Sequence, residues 1–438
     1  MITYVPRTRR RQYVSLSYTN TLIIVIIGLI NMISEKTKKL LLKYHLPLWL
    51  FIGVAFGWSV PIIGSAWSGI IPKNEYIKMS NINVFLIFFL SGLKLKTDDV
   101  KKAIGEWKGA LYGSVMILAL TPLLGVLMIE IPFTVRELSY GLGVFCTVPT
   151  TLSSGVILTG QANGNVALGL LLTVVTNLLG ILTMPPMLLL TFLNVGKNTS
   201  VQIDVGVLLY KLCLYIALPL FLGKLIQSYS EKVRIFVKGH KIGMKLASSF
   251  LLVMVPWMKV STSVEKMNQV DFGSIVACFG IGAAIHLLYL GINLIGTKFL
   301  KLDIPERKAV VILASQKTLP VSVTIIDFLP DAMGSKGVMV LPCILAHFVQ
   351  ILIDGYIVAQ NDKIFGVDRK NDKKNIEESG TMKTIAATGT TVVGKEGEKN
   401  RKVRTKRDSL VVTKERKKKN IGKKKESAPA GIIIEVME

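Results

Sequence analysis

Apolar residues in this chain collect into long runs such as 168–193, 285–295 and 338–359. Runs near ~20 residues match the ~30 Å hydrocarbon slab of a bilayer at helical rise. A helix on a soluble core would carry a polar stripe at the 3.6-residue period instead. With lipid as solvent, each backbone N–H and C=O must be satisfied within the fold. The sequence therefore predicts an all-α polytopic membrane protein. Ten transmembrane helices are expected, at about 45–63, 80–95, 108–129, 138–160, 164–193, 205–226, 244–259, 272–297, 308–329 and 337–360.

The net charge of +25 tests that assignment through its distribution. The segments 34–44, 94–108, 160–165, 224–245 and 298–308 share a side with both ends of the body, and together they hold 19 Lys and Arg. The opposite segments 64–79, 130–138, 195–211, 259–271 and 328–337 hold 8. The bias alternates as ten helices require and puts both ends on the cytosol-like side. Residues 361–438 carry 21 Lys and Arg against 12 Asp and Glu with one aromatic, Phe365. Such a stretch reads as a disordered basic tail, first a solvated spacer and only second an attractor of anionic lipid head groups, and the missing aromatics argue against nucleic-acid binding. Residues 1–43 read as a targeting-like or interfacial segment: Arg7, Arg9, Arg10 and Arg11 precede a short apolar stretch at 22–33.

Ten spans divide as five plus five, a first repeat over 45–194 and a second over 205–360. An odd number per repeat makes the two inverted. The fourth span of each, and thus the ninth overall, is interrupted by a polar, proline-bearing break: Pro149, Thr150, Thr151, Leu152, Ser153, Ser154, Gly155 in one and Ser315, Gln316, Lys317, Thr318, Leu319, Pro320 in the other. Matched discontinuous helices point to the binding site of a secondary transporter. Uncoiling frees amides that suit an anion and carbonyls that suit a cation.

A single Ser or Thr in a span is often helix glue. The hydroxyls of Thr150, Thr151, Ser153 and Ser154 cluster beside a proline, and Gly155 allows close backbone approach, so they read as a binding segment. Thr173, Thr176 and Asn177 share one face of the next span. Lys317 lies deep in a span, where an ionised group marks function by default. His347, Gln350 and Asp354 share a face of the last span, with Asp354 either the counter-charge of Lys317 or an interfacial residue. His286 and Asn293 read as packing residues. The cysteines lack CxxC spacing, and no HExxH or GxSxG pattern is present, which argues against a zinc site or an enzyme.

At the strings RELSYGLGVFCTVPTTLSSGVILT, GNVALGLLLTVVTNLLGILTMPP, LVMVPWMKVS, ILASQKTLP and VLPCILAHFVQILID the chain resembles the bile acid:sodium symporter superfamily. Within it, the similarity is greatest to the plastidic sodium/metabolite cotransporter branch related to the member-seven-like bile-acid carriers. The resemblance implies a panel domain and a core domain, with the fourth and ninth spans crossing at their breaks beside the solute. It further implies a plastid (chloroplast) envelope location and a sodium ion held by Ser154, Thr173 and Gln316. Where the family has asparagine, serine, glutamine, glutamate and asparagine, this chain has Gly155, Gly169, Ile117, Ile312 and Lys317. A carboxylate is lost and an ammonium gained.

The expected function is secondary active transport of a small organic anion or metabolite by alternating access, with sodium or protons as candidate coupling ions. Thr150, Thr151, Ser153, Ser154, Gly155, Thr173, Asn177, Gln316, Lys317, Thr318, His347 and Gln350 are the candidate substrate and ion ligands. The alternative is a non-transporting membrane regulator of ion homeostasis that retains the fold.

Overall fold

The computed structural model describes residues 35–71, 78–95, 105–152, 154–193, 195 and 203–366. Ser153, the proposed targeting-like stretch up to residue 34 and the tail beyond residue 366 lie outside the described residues. Among those described, all regular structure is helical. The helices are α1 (Glu35–Ser59), α2 (Pro61–Gly69), α3 (Met79–Lys94), α4 (Trp107–Met128), α5 (Glu137–Thr147), α6 (Ser154–Gln161) and α7 (Val166–Thr191). There follow α8 (Val205–Tyr229), α9 (Glu231–Gly239), α10 (Lys241–Ser261), α11 (Phe272–Phe299), α12 (Ile304–Ser315), α13 (Leu319–Phe328) and α14 (Lys336–Ala359). Among the described residues, seven helical stretches are long and apolar enough to cross a membrane, and up to eight if the bent α1–α2 pair counts as one. This is a multi-pass membrane protein.

Two boundaries differ from the sequence expectation. The first span does not run straight through 45–63: the chain bends by 95° between α1 and α2. Pro61 lacks an N–H and clashes with a preceding helical turn, so Val60 leaves the helical region and α2 restarts with proline in its first turn. Nor is the tail irregular from residue 361. Asn361–Phe365 forms a further helical turn, in which Asn361 accepts from Lys308 Nζ at 2.8 Å and Phe365 is buried against Leu290 and Val311.

Burial sorts the helices. In the stretch Ile304–Phe328, 94% of the apolar window is buried, and in Lys336–Ala359 78%, against 22–44% for the other five. Helices α12, α13 and α14 therefore form the centre together with α5, in which only Tyr140 is not buried, while those five spans turn apolar faces outward, as lipid-facing spans do. The helices pack in two groups. One contains α1, α2, α3, α8 and α10; the other contains α4 to α7 and α11 to α14. They meet where α7 touches α8, α14 touches α10 and α13 touches α3.

Within the first group α3 and α8 approach through reciprocal glycines. A Cβ on Gly92 would run into the Leu220 carbonyl, and one on Gly223 into the Phe89 carbonyl. Backbone cannot yield as a side-chain tip can, and small residues are what let membrane helices pack this closely. Gly92→Val is expected to cost about 1–3 kcal/mol through overpacking, read as a lower thermal midpoint of the purified protein. A midpoint equal to that of the parent would show that α3 and α8 can separate without loss.

Candidate functional site

Helix α5 ends at Thr147 because Pro149 follows, and Val148 adopts extended dihedrals (φ −76°, ψ 156°). Helix α12 ends at Ser315, with Gln316 extended (φ −86°, ψ 148°), and α13 restarts with Pro320 in its first turn, where a missing N–H is harmless. Four helix ends thus meet. The two breaks bond directly to each other, Thr318 N donating to Pro149 O at 3.1 Å and Thr151 Oγ1 to Gln316 Oε1 at 2.6 Å, and the first break reaches into α12, Thr150 Oγ1 donating to Leu313 O at 2.5 Å. Ser154 Oγ approaches the same Gln316 oxygen at 3.5 Å, and Gly155 packs against it closely enough that a Cβ would sit 2.9 Å away.

Lys317 joins both breaks to α4. Its Nζ donates to Thr121 Oγ1 at 2.8 Å, to Val148 O at 3.0 Å and to Ile117 O at 3.4 Å, and lies 5.6 Å from the Tyr289 ring centroid. Three acceptors match the three N–H donors of an ammonium. The acceptors exist for local reasons. Val148 O belongs to the C-terminal, partially negative end of α5. Ile117 lies in a π turn (Met116–Leu120) that precedes Pro122, which has no N–H to give, and Thr121 Oγ1 donates onward to Met116 O at 2.8 Å. Two carbonyls and a hydroxyl are also ligands of the kind a small hard cation takes.

Helix α14 brackets the lysine backbone. Gln350 Oε1 accepts from Lys317 N at 3.1 Å, and Gln350 Nε2 donates to Lys317 O at 2.8 Å. His347 Nδ1 lies 2.7 Å from the same amide nitrogen. In α7, Asn177 Nδ2 donates to Thr150 O at 3.1 Å and to Thr173 O at 2.8 Å, while Asn177 Oδ1 is buried without a hydrogen-bond partner among the described residues. The Thr173 hydroxyl turns back to Gly169 O at 2.9 Å, and that of Thr176 to Leu172 O at 2.8 Å.

Asp354 is not the counter-charge of Lys317, nor is it interfacial. It is fully buried, with Oδ2 accepting from Gln316 Nε2 at 2.5 Å and Oδ1 2.8 Å from His286 Nε2. His286 Nδ1 must carry a hydrogen, because it faces the Ser315 carbonyl at 3.0 Å. One further proton then lies between Nε2 and Asp354. His347, Gln350 and Asp354 lie along α14 as their spacing implies, but the carboxylate reaches the residue before the lysine. His286 and Asn293 pack as buried residues that hydrogen-bond the second break, with Asn293 Nδ2 donating to Ser315 Oγ at 3.2 Å. Spacing alone missed Thr121, Tyr289 and His286; the signal for the first was Pro122, a proline inside an apolar span. Ile312, where a carboxylate was expected by resemblance, is buried among Leu158, Leu313 and Ala314.

Residues 45–363 match the model of the SBF-like CPA transporter family. A probable chloroplastic sodium/metabolite cotransporter, BASS4, from Arabidopsis thaliana is 37% identical over 320 residues, 72% of this chain and 71% of the relative. Its counterpart from Oryza sativa subsp. indica is 35% identical over 324 residues, 72% and 74% respectively. Sodium/bile acid cotransporter 7 of Rattus norvegicus is 25% identical over 312 residues, 69% and 88%. With a match over most of its length and relatives above 30% identity, this chain belongs to the SBF-like CPA transporter family.

Proposed function

We propose that this chain is a secondary active transporter of a small organic anion or metabolite in which Lys317 is a tethered cation. In this reading the bent α1–α2 pair, α3, α4, the α5–α6 pair and α7 form the first of two inverted repeats (45–194). Helices α8, α10, α11, the α12–α13 pair and α14 form the second (205–360). The transport step is alternating access around the crossed breaks. The observation that carries the proposal is the oxygen cage around Lys317 Nζ, by which the second break is held to α4 and to the end of α5 at the first break. A fixed ammonium there holds the crossover together and supplies positive charge toward an anion. Thr150, Thr151, Ser154, Gly155, Gln316, Thr318, His347 and Gln350 form the walls of the site.

Coupling to sodium is a reading with its own support: Asn177 Oδ1, beside Thr173 and the first break and without a partner among the described residues, is an acceptor a transported cation could use. Ser154, Thr173 and Gln316 would complete that path. The likeness to chloroplastic sodium/metabolite cotransporters supports a plastid location and a metabolite solute. The non-transporting regulator is favoured by one feature, the apolar Ile312 at the position of the family carboxylate.

Proteoliposomes holding the full chain, offered a panel of radiolabelled mono- and dicarboxylates and steroid sulfates, separate these readings. Uptake of at least one anion is expected without sodium, as the tethered ammonium predicts. Accumulation only under a sodium gradient would replace Lys317 with sodium as the working cation. Absence of uptake under every gradient would leave the regulator.

A further inference from the structure

Asp327 lies in the last turn of α13, ten residues beyond the lysine of the break, and is buried. Its carboxylate leaves its own helix group. Ser80 Oγ, at the start of α3, donates to Asp327 Oδ2 at 2.5 Å, and Lys259 Nζ, near the end of α10, forms an ion pair with Asp327 Oδ1. Both α3 and α10 belong to the first packing group, whereas α13 belongs to the second. The carboxylate is therefore a fastener between the two groups. Lys336 Nζ secures the same corner by donating to the carbonyls of Asp327 and Leu329 and pairing with Asp331 at 3.0 Å. Phe328, next in sequence, packs on Tyr215 of α8 at 5.6 Å between ring centroids.

The position of this cluster gives it a role. Residues 78–80, 259–263 and 327–337 belong to the lysine-poor side of the chain, opposite the basic loops. A cavity of about 790 Å³ opens there, bordered by Lys78, Lys211, Asp204, Asp327 and Asp331. Asp327 stands at its floor as a cavity-lining residue that is itself only 5% exposed. Past it, Val84 lies one helical turn deeper than Ser80 on the same face of α3 and is 2% exposed. Asp327 thus borders the cavity on one side and buried side chains on the other. A charge pair held this way is stable only while paired; separation requires hydration of both partners, and the cavity is where that water would come from.

We propose that Asp327, with Lys259 and Ser80, is an electrostatic gate that closes the path to the crossover from the side opposite the basic loops, and that this structure is its closed state. The inference rests on the carrier reading above and adds the gate to it. Helix α13 is the mechanical link. It runs from Leu319, beside the Lys317 cage, to the gate as ten helical residues, a rod of about 15 Å. Release of Asp327 frees the far end of that rod from α3 and α10. Movement between the groups then follows without rupture of the contacts that hold the two breaks together.

The test places a reporter behind the gate. In intact cells expressing the full chain with Val84→Cys, a membrane-impermeant maleimide is added from outside, and modification is read at that peptide by mass spectrometry. Labelling is expected to be slow in this parent and at least ~10-fold faster with Lys259→Gln or Asp327→Asn, since loss of one partner of a buried pair shifts a two-state balance strongly. The exchanged pair, Asp327→Lys with Lys259→Asp, is expected to return the rate to within about twofold of the parent, a coupling a merely structural role would not restore. Unchanged labelling in the single variants, or an exchanged pair as fast as the singles, overturns the gate. If the charge variants fail to accumulate, Ser80→Ala removes one hydrogen bond and no charge, and is expected to speed labelling about 2–5-fold; no change there overturns the proposal equally. Gated labelling with no anion uptake would sink the carrier reading alone, and uptake with ungated labelling would sink the gate alone.

Discussion

Lys317→Met is expected to abolish anion uptake, by at least ~100-fold, while leaving the thermal midpoint within about 5 °C of the parent. The two effects have separate origins. Lys317 is 1% exposed, and the hydrogen bonds of its Nζ go to two carbonyls and a hydroxyl. Such dipoles satisfy the donors but return only part of the hydration an ammonium loses on burial. Exchange for an apolar chain of similar volume removes that penalty. Against it, Val148 O loses its lysine donor, which costs about 1–3 kcal/mol if nothing replaces it. Thr121 Oγ1 keeps its bond to Met116 O, and Ile117 O still lies 3.3 Å from the same hydroxyl. Terms of opposite sign and similar size nearly cancel in stability. They do not cancel in function, because the methionine carries no charge toward an anion and no bond between the breaks. Lys317→Gln retains a donor for Val148 O and is expected to transport no better. A midpoint lowered by more than ~10 °C in Lys317→Met would show the lysine to be a structural strut; normal flux in either variant would remove it from the transport step.

What the sequence could and could not disclose follows from the range of each signal. Pro149 and Pro320 announce their own breaks, because a proline in a polar string within an apolar span has few other uses. Lys317 announces itself by the cost of its placement. Its partners did not, since two are main-chain carbonyls and the third, Thr121, is 196 positions away. A carbonyl has no sequence identity, and only the π turn before Pro122 exposes the one at Ile117. Helical spacing put His347, Gln350 and Asp354 on one face correctly. It could not say that the far end of that face meets Gln316 and His286, because that depends on how α11 and α14 cross. The bend at Val60 was written in Pro61, yet a hydropathy run reads through a proline without registering the change of direction. Asp327 and Lys259 lay in separate segments with nothing local to join them.

Asp354→Ala and Asp354→Asn are expected to part company sharply in stability. The carboxylate joins three elements: α14 carries it, α11 presents His286 Nε2 at 2.8 Å, and the second break presents Gln316 Nε2 at 2.5 Å. An asparagine can reproduce every bond. Its oxygen accepts from Gln316, and its amide donates to Nε2 of a neutral imidazole whose Nδ1–H stays on Ser315 O. Alanine can reproduce none, and it strands both nitrogens where the surroundings are fully buried, at about 3–5 kcal/mol for the broken pair. The alanine variant should therefore unfold about 5–15 °C lower, or fail to accumulate, whereas the asparagine variant stays within about 1 kcal/mol of the parent. The damage has a direction as well as a size. Gln316 also accepts from Thr151, so a loosened amide releases the first break, and faster amide hydrogen exchange is expected at 148–152 in Asp354→Ala. Equal destabilisation by both substitutions would mean that the negative charge, and not the bonding pattern, holds the crossover. An alanine variant as stable as the parent would mean that the His286–Asp354–Gln316 chain holds nothing at all.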